Sequence, residues 1–152
     1  EVPVSTLLHE SMKAVSAHAA KAQVHFEFKE IDEAIEIYAV PKQVADIFRN
    51  LFMNAIESMP DGGKITLQTH KTMRYVEVNV IDTGIGIPLE KQDRIFDLLF
   101  STKNSTGFGL WSARRVALEN GGDLILKESQ PEQGTTFTLR LLRADAQFRG
   151  EL

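Results

Sequence analysis

The sequence predicts an α/β two-layer sandwich, a mixed sheet of about five strands with three helices on one face. Three observations carry this. Several segments alternate with period two, as in Val76, Val78 and Val80 against Glu77 and Asn79. Others carry apolar residues at helical spacing, as in Val44, Ile47, Phe48, Leu51 and Ala55. The length of 152 residues, with 43% hydrophobic composition, suits one domain with a sizeable core.

The net charge of -4 argues against a nucleic-acid surface, which needs clustered Lys and Arg. With no cysteine, disulfides and thiolate metal sites are excluded. No apolar run reaches the length of a membrane span or signal peptide, so the expectation is a soluble, cytoplasmic chain without membrane contact of its own. The start at Glu1-Val2-Pro3, without methionine, suggests a fragment and leaves open whether its parent is anchored in the inner membrane.

Taken in order, Ser5 to Ala20 has Leu7, Leu8, Met12, Val15 and Ala19 near helical spacing, with Ser5 as the expected N-cap. His9 beside Glu10 could be a phosphoacceptor with its base next door, although a surface histidine on an amphipathic helix is the stronger reading. Gln23 to Lys29 and Ala34 to Val40 alternate as two strands, read as a hairpin through residues 30–33. Pro41 opens a long helix from about Lys42 to Met59. On its flank Asn50, Asn54 and Glu57 project along one side, beside the apolar stripe. A solvated face explains Glu57, but asparagine is a poor helix former, and two at this spacing suggest neutral oxygen ligands for a cation beside phosphates.

Pro60-Asp61-Gly62-Gly63 stops that helix, and Ile65 to Lys71 with Tyr75 to Ile81 form a second hairpin. The latter strand delivers Asp82 into Asp82-Thr83-Gly84-Ile85-Gly86-Ile87-Pro88. An ionised aspartate only accepts, so it can take the amino proton of a base such as adenine and matches a carbonyl oxygen poorly. By itself the loop also reads as a plain turn. A helical turn over residues 89–94 leads to the apolar run 95–100, and Ser101 to Gly109 reads as a mobile loop covering a site. Thr106-Gly107-Phe108-Gly109-Leu110 opens a helix closed by Asn120-Gly121-Gly122. Its start would suit an anion such as phosphate, or serve as a flexible helix entrance. Two strands, Asp123 to Glu128 and Thr135 to Leu142, close the fold, and a polar tail follows from Arg143.

In order and spacing these motifs resemble the ATP-binding catalytic domain of sensor histidine kinases, within the wider group of Bergerat-fold proteins that includes gyrase and Hsp90. The likeness covers about Val40 to Leu142, and the turn Met59-Pro60-Asp61-Gly62-Gly63 resembles the nitrogen-regulator-like subgroup. The asparagine box is Asn50 to Glu57, the first glycine box Asp82 to Ile87, the phenylalanine box Arg94 to Lys103 and the second glycine box Ser105 to Leu110. The resemblance implies ATP and Mg2+ as cofactors. It implies catalytic roles for Asn50, Asn54 and Lys103, with Asn54 the magnesium ligand and Asn50 its support. Nucleotide contacts are implied for Asp82, Gly84, Gly86, Ile87, Phe96, Thr106, Gly107, Phe108, Gly109 and Leu110, with Asp82 on the adenine amino group.

Glu57 stands where many members have a basic residue, which leaves Lys103 or Arg94 to meet the phosphates. Leu98, Leu99, Phe108 and Ser105 also depart from the usual boxes, and three of them keep apolar character. ATPase branches of the group carry a glutamate one turn before the magnesium asparagine; here that place is Asn50. The implied activity is transfer of the γ-phosphoryl of Mg-ATP to a histidine on a separate dimerisation hairpin, in two-component signal transduction. The alternatives are an ATPase or serine kinase of the same fold, or a nucleotide-sensing docking module without transfer. The implied partners are the upstream hairpin and a response regulator, with a monomeric fragment from a homodimeric parent. The expected organisation is a linker helix over residues 1–20, the catalytic domain over 21–142 and a tail over 143–152, so the isolated fragment is not expected to phosphorylate itself.

Overall fold

The computed structural model describes residues 1–97 and 109–147. It contains β1 (Val2–Pro3), α1 (Val4–Ala14), α2 (Ser16–Ala22), β2 (Val24–Phe28), β3 (Glu36–Ile37), α3 (Pro41–Glu57), β4 (Gly63–Lys71) and β5 (Tyr75–Asp82). A 3₁₀ turn, Leu89–Arg94, follows, then α4 (Gly109–Glu119), β6 (Asp123–Gln130), β7 (Gly134–Leu142) and α5 (Ala144–Gln147). The main sheet has five strands in the order β2-β4-β5-β7-β6, with β2 parallel to β4 and every other pair antiparallel. Helices α1, α3 and α4 pack on one face, which makes the architecture the expected mixed two-layer sandwich.

Alternation along the strands sends Ile65, Leu67, Val76, Val78, Val80, Phe137, Leu139 and Leu141 into a core shared with Val44, Ile47, Phe48, Leu51, Phe52 and Ala55 of α3. The opposite sheet face is polar. There Thr138 donates to Asn79 Oδ1 (2.6 Å), and Glu77 pairs with Arg140 (3.1 Å). Pro41 occupies the first turn of α3, where its missing N–H has no helical partner to lose.

Three local expectations are corrected. The strands at 24–28 and 36–37 do not form a hairpin: β2 pairs with β4 across the α3 crossover, and the short β3 pairs with β1. Alternation did set the correct faces, since Ile35 and Ile37 are buried while Glu36 and Tyr38 are exposed, but a period specifies a face and not a partner. Ser5 is not an N-cap. The helix starts at Val4 after Pro3, and Ser5 is buried inside its first turn. Nor is the expected polar tail from Arg143 polar and exposed throughout, because α5 follows Arg143 and Ala144 is buried. Arg143 donates to the Thr72 carbonyl (2.6 Å) and to Asp145 (2.6 Å).

The first residues share the common core. Val4, Leu7 and Leu8 of α1 are buried against α3, and the His9 ring stacks on Phe28 at 4.3 Å with planes 8° apart.

Candidate functional site

Asp82 ends the central strand, β5, on the sheet face that meets the helices. It is 7% exposed, and one oxygen, Oδ1, accepts from the Gly84 N–H (2.8 Å) and the Thr135 N–H (3.2 Å). Thr135 is its register partner on β7. Burial pushes the Asp82 carboxyl above the ordinary aspartate value, and hydrogen bonds from Gly84, Thr135 and Ser58 pull it partly back. With Oδ1 committed to the backbone, the second oxygen is the one a ligand donor would use.

The loop beyond Asp82 is gripped from two sides. At the end of α3, the Ser58 carbonyl accepts from the Ile85 N–H (3.0 Å), and Gly84 passes so close to Ser58 that a Cβ would lie 2.7 Å from that carbonyl oxygen. On the other side, the Glu132 N–H of the turn between β6 and β7 donates to the Ile85 carbonyl (2.7 Å), and Ser129 Oγ, near the end of β6, accepts from the Ile87 N–H (2.8 Å). Gly86 has φ +75°, and a Cβ there would collide with the Gln130 carbonyl. Both glycines of the motif are thus required by close backbone approach.

Asn50 and Asn54 lie half-buried on α3, one turn apart, with Asn54 one turn before Ser58. Asn50 also meets α4, since a Cβ on Gly109 would lie 3.5 Å from its Oδ1. The asparagine flank and the start of the second glycine-box helix therefore converge. An open cleft of about 570 Å3, with His18, Asp46, Arg49, Asn50, Met53 and Ser112 among its lining, gives access to this side. Phe96 stands edge-on to Phe137 (6.2 Å), with the Arg114 guanidinium 5.3 Å from its ring centre, which ties the segment after the 3₁₀ turn to β7 and α4. Leu110 is half-buried at the start of α4. Lys103, Thr106, Gly107 and Phe108, with the expected covering loop, lie outside the described residues.

Sequence reasoning missed Ser58, Gln92, Ser129 and Thr135. Thr135 lies 53 residues from Asp82, so no local pattern could have joined them. Among the described residues no helix is long and apolar enough to cross a membrane.

A sandwich with an acid at the end of its central strand, a glycine loop beyond it and asparagines on the helix beneath is the Bergerat ATP-binding domain. Residues 39–145 match the histidine kinase-, DNA gyrase B-, and HSP90-like ATPase family, and the chain belongs to it. Among curated relatives, the sensor histidine kinase ZraS of Escherichia coli (strain K12) is 33% identical over 141 residues, covering 92% of this chain and 30% of that protein. Sporulation kinase E of Bacillus subtilis (strain 168) is 32% identical over 153 residues, covering 98% of this chain and 20% of that protein. The chain therefore spans less than a third of either. The nucleotide-free catalytic domain of histidine kinase ThkA superposes with a TM-score of 0.82 at 26% identity, over 93% of this chain and 95% of that one. ThkA in complex with the response regulator protein TrrA superposes with a TM-score of 0.79 at 25% identity, over 93% of this chain and 41% of that one.

Proposed function

We propose that the chain is the ATP-binding catalytic domain of a sensor histidine protein kinase, transferring the γ-phosphoryl of Mg-ATP to a histidine on a separate dimerisation hairpin, with a response regulator downstream. The observation that carries kinase over ATPase is Asn50, one turn before Asn54 on α3. A neutral carboxamide there has no basic lone pair to take a proton from water, so hydrolysis is slow and ATP is held for an external nucleophile.

In this reading Asp82 accepts a hydrogen bond from the adenine amino group, and Gly84, Gly86 and Ile87 shape the base pocket. Phe96 anchors one end of the covering segment, while Gly109 and Leu110 start the helix that faces the phosphates. Lys103, Thr106, Gly107 and Phe108 supply further phosphate contacts by resemblance. The described residues hold no group of three or more His, Cys, Asp or Glu that could cage a metal. Their donor set suits a cation held chiefly by phosphates and water and steadied by carboxamide oxygens, so Asn54, supported by Asn50, would hold magnesium. Bound there, the cation would neutralise phosphate charge during transfer.

The test is calorimetric titration of the chain with a non-hydrolysable ATP analogue, with and without magnesium, beside Asn54→Ala. Magnesium-dependent binding that Asn54→Ala loses is the expected result. Absence of binding by the unaltered chain would leave the docking-module reading in its place.

A further inference from the structure

The grip on the glycine loop beside Asp82 extends, through Ser129, to the 3₁₀ turn and to β7. Ser129, near the end of β6, accepts from the Ile87 N–H through Oγ at 2.8 Å, lies 2.8 Å from Thr135 Oγ1 and 3.3 Å from the Gly134 carbonyl. Gln92, in the 3₁₀ turn, donates through Nε2 to the Ile87 carbonyl (2.9 Å) and the Ser129 carbonyl (3.1 Å). Both partners of Nε2 are acceptors, which fixes the orientation of this amide. A serine hydroxyl has one proton and two lone pairs, so Ser129 Oγ can accept from Ile87 and still share a hydrogen bond with Thr135. These bonds form a closed clasp. It joins the glycine loop, the β6–β7 turn, the 3₁₀ turn and the strand position that bonds the Asp82 carboxylate.

Resting on the nucleotide-binding reading above, we propose that Ser129 and Gln92 are positioning residues for base recognition. Neither touches the base. Ser129 ties Ile87, at the far end of the glycine loop, to Thr135 on β7, so that the Asp82 carboxylate meets an amino donor at a fixed place. Gln92 locks the 3₁₀ turn to the same point, so the segment leading towards residue 98 starts from the loop that reads the base. A loosened clasp lets the acceptor drift, which weakens adenine binding and blunts rejection of guanine, whose carbonyl at the corresponding position repels a carboxylate.

The experiment is calorimetric titration of the full chain with ATP and GTP analogues for the unaltered protein, Ser129→Ala, Ser129→Thr, Gln92→Met and Asp82→Asn. Ser129→Ala is expected to raise the Kd for ATP roughly tenfold and to narrow the ATP-to-GTP ratio. Ser129→Thr, which keeps the hydroxyl, is expected to restore both, and Gln92→Met to shift both in the direction of Ser129→Ala. Unchanged Kd values in Ser129→Ala with only a lower Tm would overturn the proposal, since the clasp would then be structural alone. Should Ser129→Ala fail to fold, an unchanged Kd in Gln92→Met overturns it equally. No ATP binding by the unaltered chain would remove the nucleotide reading itself. Binding that Asp82→Asn weakens and Ser129→Ala does not would remove only this inference.

Discussion

In the role proposed for it, Asp82 sets folding against binding. A carboxyl whose pKa is raised in the folded state favours folding in its protonated form. That contribution is fully present below the unfolded value of 3.8 and fades as the pH rises through the higher folded value. At neutral pH the buried carboxylate therefore bears an uncompensated part of its desolvation, while the acceptor role needs that same charge. Because Oδ1 alone takes both backbone N–H bonds, the oxygen of an asparagine can replace it without reversing a donor. Asp82→Asn is thus expected to melt no lower than the unaltered chain at pH 7 in calorimetry, yet to lose more than about tenfold in ATP affinity. Unchanged affinity would remove the adenine assignment. The same ionisation predicts that ATP binding by the unaltered chain weakens as the pH falls towards the raised folded value, and that Asp82→Asn flattens this dependence. Titrations at a series of pH values check it. Gly86, with a φ of +75° and the Gln130 carbonyl against it, leaves no place for a methyl group. Gly86→Ala is expected to lower both Tm and ATP affinity, since the loop must leave the β6–β7 turn to admit it.

Among the elements, α1 shows what periodicity can and cannot convey. Its apolar spacing announced one helix over Ser5 to Ala20, which the structure breaks at Val15 into α1 and α2. The buried apolar residues of α1 are Leu7 and Leu8, as the spacing implied, with Val4 added by the earlier start, while Met12 is only half-buried. Its partner was not legible, because packing against α3 depends on residues some forty positions away. Ser11, for instance, reaches the Ala45 carbonyl at 3.4 Å. The same limit accounts for the false hairpin. The alternation of Val24, Phe26 and Phe28 gives β2 its face, whereas its choice of β4 over β3 follows from the α3 crossover. By contrast, the hairpin of β4 and β5 and the reach of α3 were legible, because a short turn and a proline mark them locally. Because α1 shares the core, truncating Leu8, which is fully buried, leaves a cavity the helix cannot close. Leu8→Ala is expected to cost about 2–5 kcal/mol in chemical denaturation. A loss within about 0.5 kcal/mol, as for a surface site, would instead place residues 1–20 outside the folded unit, as a linker.

At the scale of the whole molecule, the fold brings three chain-distant pieces to one end of the sheet: the end of α3, the C-terminal end of β5, and the hairpin that joins the end of β6 to the start of β7. Asp82, Gly84, Gly86, Asn50 and Asn54 could be named from the sequence as candidates because each sits in a short motif. Ser58, Thr135, Ser129 and Gln92 could not, because only the closed fold gives them a role. On the reading proposed above, the assembled site binds and presents a nucleotide and the nucleophile comes from elsewhere. Within the chain, the histidine that resembles an acceptor is His9, beside Glu10, but its ring is engaged face to face with Phe28 and its helix is packed on α3. Transfer to His9 would require breaking that stack and moving α1 off the core, at the expense of Val4, Leu7 and Leu8. The purified chain incubated with γ-labelled Mg-ATP is therefore expected to take up no label. It is expected to release phosphate only slowly, because Asn50 supplies no base, and to label a histidine-bearing two-helix hairpin added separately. Label on His9 would show that α1 detaches readily, and steady phosphate release without transfer would return the domain to the ATPase branch of its family.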